Sequence, residues 1–143
     1  MNPRRSADRA SVLMLMPAGV LVVLLLGAIA FDLSLVFLRQ RQASSLAVDV
    51  ANDLATAALD EAAFRADGRF RLAPDRADEL GRSLVATSDL GPDVLEVEVN
   101  VVGPDAVEVR VVVAVGYVFA KAIPGASDGT TVMASATAVA TPG

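Results

Sequence analysis

Two hydrophobic periods divide this chain. Residues 10–31 are 22 consecutive uncharged positions, ASVLMLMPAGVLVVLLLGAIAF, which as a helix reach about 33 Å against a hydrocarbon core of ~30 Å. Past Asp32 the pattern becomes one-sided. At about 100° per residue, Asp32, Val36, Arg39, Ala43, Ala47, Val50, Leu54, Ala57 and Phe64 fall on one stripe, with Asp49, Asp53 and Asp60 on a flank toward water. No Gly or Pro follows Asp32 until Gly68, so the spacing predicts one helix running out of the apolar span and stopping at Asp67-Gly68.

A second helix is predicted from Pro74 at a first-turn position, Asp75, Asp78 and Glu79 near its positive end, and Leu80, Leu84 and Val85 as its buried face; it should stop before Gly91-Pro92. The period then falls to two. Leu95, Val97, Val99 and Val101 share one face of a strand, and Val107, Val109, Val111, Val113, Val115, Tyr117 and Phe119 share one face of the next. Keeping both valine sets on one side allows only every second register; a three-residue turn, Gly103-Pro104-Asp105, pairs Val101 with Val107, Val99 with Val109 and Val97 with Val111 and sets Glu98 opposite Arg110, whereas the competing register places Asn100 opposite Arg110. A third run alternates from Thr130, after a loop over residues 124–129. The expected fold is α+β: a long N-terminal transmembrane helix continuing into a small head with a second helix and a three-stranded antiparallel meander. Its expected divisions are a basic N-terminus (1–9), the transmembrane helix (10–31), the extension of that helix (32–67) and the head (68–143).

Composition narrows the chemistry. The 143 residues include no His, Cys or Trp, one Tyr (Tyr117) and one Lys (Lys121). That inventory excludes Ser-His, Cys-His, zinc-thiolate and His-metal sites. There is no G-x-x-x-x-G-K and no G-x-G-x-x-G, and the chain is expected to be no enzyme and to hold no cofactor. Glu96, Glu98, Asp105 and Glu108 gather near one hairpin, where alternating acids mark a wet strand face rather than a calcium loop. Net charge is −5, unevenly placed. Residues 1–41 carry 5 Arg against 2 Asp (+3), and residues 42–143 carry 15 acids against 7 bases (−8). The acidic body argues against a nucleic-acid partner. Arg4, Arg5 and Arg9 before the span put the N-terminus in the cytoplasm and the head outside. A cleavable signal peptide ending at Ala28-Ile29-Ala30 is the competing reading, opposed by apolarity that continues through Leu33, Leu35, Val36, Phe37 and Leu38.

The basic lead-in from Arg5 to Arg9, the span containing Pro17, and then Ala30-Phe31-Asp32, Phe37-Leu38, Arg39-Gln40-Arg41-Gln42 and an Ala-rich stretch to Ala63 together carry a resemblance. Over its first 66 residues the chain resembles the N-terminal segment of TadE/TadG-like proteins of Tad (Flp) pilus assembly, and its architecture is similar to that of pilins and pseudopilins. The resemblance implies a structural or accessory membrane component whose partners are lipid and other pilus-assembly or pilin-like subunits. Residues 9–16, RASVLMLM, lack the Gly and Glu of a processed pilin, which favours a variant that keeps its anchor. The alternative is a membrane-tethered or secreted small binding domain unrelated to pili.

Seven residues stand out as interaction candidates. Asp32 either marks where the helix leaves the hydrocarbon or lies inside it and pairs with a basic group of another subunit. Arg39 and Arg41 either snorkel toward headgroups or dock a partner. Ala43, Ala47, Val50 and Leu54 form a small-residue face that needs a cover, expected from the chain's own sheet at the distal end and from a partner subunit nearer the membrane.

Overall fold

A computed structural model describes residues 3–58, 65, 68 and 71–140, with side chains from Leu15 onward. Its first element, α1 (Pro3–Ala57), is one unbroken helix of 55 residues, about 83 Å long. Pro17 sits inside it, in the apolar segment where such interruptions are tolerated. Of the predicted continuation to residue 67, residues 59–64, 66 and 67, Asp60 and Phe64 among them, lie outside the described residues. Gly68 has φ 69°, the left-handed conformation that a helix stop favours.

Helix α2 (Pro74–Thr87) starts at its proline as expected and buries Ala77, Gly81 and Val85. Leu80 and Leu84 are only partly buried. A single 3₁₀ turn, Gly91–Asp93, then leads into the sheet. Strands β1 (Val94–Val101), β2 (Ala106–Gly116) and β3 (Gly129–Val139) form an antiparallel meander in that order. Helix α1 lies over β2 and β3, and α2 lies over β1, so both cover the same face.

The first hairpin has the register that the valine pattern requires. Val101 pairs with Val107, Val99 with Val109, Val97 with Val111, and Glu98 with Arg110. The turn contains Gly103 at φ 96°, a conformation that costs a residue with a Cβ and costs glycine little. Glu98 and Arg110 approach to 3.7 Å on the open face. Two details depart from the simple alternation. The register shifts between Val94 and Glu96, so Leu95 is turned outward at 64% exposure and Val94 packs on the core in its place. The second strand ends at Gly116, short of Tyr117 and Phe119, because the following backbone turns to meet α1.

The core is built from small groups. Ala43, Ala47, Ala51 and Ala55 recur every fourth residue and form a buried ridge along α1. The inward positions of β3 are Val132, Ala134, Ala136 and Ala138, so helix and strand both present small side chains where they meet. Val107, Val109, Val111 and Val113 in β2 are fully buried beneath them. At the distal end, main-chain bonds from Leu72 to Pro104 (2.9 Å) and from Ala73 to Ala58 (2.9 Å) tie the chain before α2 to the hairpin and to the end of α1.

Candidate functional site: the clamp at the foot of the head

β2 runs antiparallel to α1, so the connection from Gly116 to Gly129 lies at the end of the head nearest the apolar span. This loop contains a 3₁₀ turn, Ala120–Ala122. Three successive backbone amides at its start converge on one carboxylate. Val118 N donates to Asp32 Oδ1 (2.8 Å), Phe119 N donates to both oxygens (3.2 Å each), and Ala120 N donates to Oδ2 (2.8 Å). Such a run of amides forms a concave nest for an anion. Both oxygens act purely as acceptors in these bonds, as an ionised carboxylate does.

Asp32 is 6% exposed and is the one buried charged residue among those described. The amides answer the cost of burying it. Its partner is therefore its own loop, 86 to 88 residues further along the chain, rather than a basic group of another subunit. Beside the clamp, the rings of Phe31 and Phe119 meet edge to face with centroids 5.4 Å apart, a favoured aromatic geometry. About two turns further along α1, Gln40 Nε2 donates to the Met133 carbonyl of β3 (2.8 Å).

The remaining candidates are placed as follows. Arg39 pairs with Asp93 of the turn before β1 at 3.1 Å, with both side chains more than a third exposed, which makes it a weak surface pair. Arg41 lines an open groove with Leu38, Gln42 and Ser45 of α1 and with Ser88, Asp89 and Leu90 beyond α2. Ala43, Ala47 and Leu54 have no exposed area and Val50 has 3%. The expected partner cover over the membrane-proximal part of this face, Ala43 and Ala47, is corrected: the chain's own sheet occupies it as well as the distal part. Small residues on both sides let that sheet approach along the whole stripe.

The Asp32 clamp had one readable signal, an acid at the foot of a largely apolar stripe and directly after the apolar run. Its ligands had none, since main-chain amides carry no residue type. Among the described residues no group of three or more carboxylates, His or Cys is arranged to hold a metal. No known protein family, no curated protein and no solved structure matches the chain.

Proposed function

We propose that this chain is a structural or accessory membrane-anchored component of a Tad (Flp)-type pilus assembly system, acting by helix packing with partner subunits. In this reading it crosses the membrane once, with the N-terminus cytoplasmic and the head outside. The observation that carries the reading is a long apolar helix near the N-terminus, long enough to cross a bilayer, whose span is uncovered while the small-residue face of its continuation is occupied by the head. From Leu15 to Phe31 the large apolar side chains are about half exposed or more, and soluble surfaces do not carry apolar patches of that extent. The resemblance of residues 1–66 supplies the pilus context, and an inventory without His or Cys points away from catalysis.

Because the head covers the alanine stripe, packing with other subunits falls to the span and to the outward flank of α1. A Cβ added at Gly19 or Gly27 would meet nothing within 4 Å, which leaves room for a neighbouring helix. Val48, 44% exposed, continues this outward surface above the membrane.

Site-directed crosslinking in native membranes tests the reading, since the chain has no Cys and each introduced thiol is unique. Gly27→Cys and Val48→Cys should crosslink to subunits of a pilus assembly machine, and loss of the protein should abolish piliation. Normal piliation without the protein, or crosslinks confined to unrelated proteins, overturns the assignment.

A further inference from the structure

Three surfaces of the molecule have no part in the packing described above: the open face of the sheet, the groove beside Arg41, and the loop that Asp32 holds. The loop carries the most. We propose that the β2–β3 loop is a second membrane contact, with Val118, Phe119 and Ile123 immersed in the interfacial layer of the lipid bilayer beside the span. This rests on the reading of residues 10–31 as a membrane-spanning segment.

Depth is the first argument. The clamp fixes the amides of Val118, Phe119 and Ala120 at the level of Asp32, the first residue past the apolar run. On the face of α1 turned away from the head, apolarity continues beyond that level: Leu33 is 63% exposed, Phe37 68% and Leu38 54%. The first basic residues after the span, Arg39 and Arg41, come seven and nine positions past Asp32, about 10 to 14 Å higher along the axis. Apolar groups of interfacial elements sink ~5–10 Å below the headgroup boundary. Arg39 is engaged by Asp93 of the head, and Arg41 is the next basic group on α1, so the loop lies on the apolar side of the level that Arg41 marks.

Chemistry is the second argument. Val118, Phe119 and Ile123 are 43%, 46% and 54% exposed, three large apolar groups within six residues of one loop. The tip of the loop, residues 117–127 (YVFAKAIPGAS), carries one cation, Lys121, and the loop's one acid, Asp128, sits at its base beside β3, within a body whose charge from residue 42 onward is −8. An acid-free tip suits a surface of lipid phosphates, and an exposed Lys in an apolar loop can extend its ammonium toward them. The third argument is continuity. Phe119 stacks on Phe31 of the span, so the apolar surface of loop and helix is unbroken. Asp32 itself is enclosed by the loop amides and turned away from lipid.

Depth-dependent quenching tests this, because the natural chain has no Trp. Full-length Ile123→Trp, Leu24→Trp and Val102→Trp variants are reconstituted in phosphatidylcholine/phosphatidylglycerol vesicles whose acyl chains carry bromine near the headgroup end or near the methyl end. The expected result is blue-shifted Ile123→Trp emission quenched by the shallow bromines. Leu24→Trp should be quenched by the deep ones, and Val102→Trp, at the distal end of the head, by aqueous iodide alone. Ile123→Trp behaving like Val102→Trp overturns the loop contact while a deeply quenched Leu24→Trp leaves the span standing. An unquenched Leu24→Trp overturns both. Ile123→Trp shielded from bromine and iodide alike means that a protein neighbour covers the loop, which also overturns the proposal. Val118→Trp repeats the measurement at a second position, and agreement between the two is required.

Discussion

Replacing Gly81 with alanine sets two effects of opposite sign against each other. In the interior of α2, alanine is favoured over glycine by about 1 kcal/mol because less backbone entropy is lost. The structure supplies the opposing effect. A Cβ at position 81 would lie 2.7 Å from Val99 Cγ2 and 3.2 Å from Leu54 Cδ1, inside normal contact distance. Leu54 is fully buried and cannot swing into solvent, and Val99 is β-branched with little freedom at χ1. Overpacking of this kind costs about 1–3 kcal/mol, so the variant should be destabilised by ~0–2 kcal/mol, with α2 pushed off β1. The decisive arm is the same substitution in a Val99→Ala background. There the nearest obstacle is gone, the helical preference survives, and Gly81→Ala should stabilise by about 1 kcal/mol, a coupling of ~1–3 kcal/mol between the two sites. Urea titration of the full chain in mild detergent measures it. With no Trp and one Tyr, intrinsic emission comes from Tyr117 alone, at the foot of the head. Equal effects of Gly81→Ala in both backgrounds, or stabilisation in the natural one, would refute the close approach of α2 to β1 and α1.

Three further outcomes follow from the packing and the clamp. Asp32→Ala should free the amides of Val118, Phe119 and Ala120 to exchange with solvent at loop rates while those of Val109 and Val111 stay protected; unchanged protection at all five sites means the clamp does not hold the loop. Ala43→Glu would bury a carboxylate without a partner at a position with no exposed area, so the head should lose about 3 kcal/mol or more and unfold at lower urea. An unshifted midpoint shows that the sheet does not cover this face. The Glu98–Arg110 pair, at 3.7 Å with both side chains about half exposed, should give a double-mutant coupling below ~1 kcal/mol that vanishes near 1 M salt; a larger, salt-insensitive value contradicts its placement on the open face.

Local pattern determined much of this protein. The apolar run, the unbroken helix that follows it, the start of α2 at Pro74 and the valine alternation needed only nearest-neighbour physics, because helices and strands impose their periods on whichever residues face away from water. Even the first hairpin's register was legible: the valine faces restrict the pairing to registers that differ by two residues, and a three-residue turn at Gly103-Pro104-Asp105 selects the observed one. Leu95 escaped because a bulge breaks the alternation through backbone pairing alone. Tertiary structure decided what lies against each face. A period of 3.6 marks Ala43, Ala47, Val50 and Leu54 as a stripe to be covered, but a sheet of the same chain and a helix of another satisfy that demand equally well. The choice fell to the matching of alanines on α1 with alanines on β3, residues some 90 positions apart. Asp32 shows the same division. Its place after the apolar run fitted either an exit from the hydrocarbon or a buried acid with a partner, and only folding could bring three anonymous main-chain amides from 86 to 88 residues further along to enclose it.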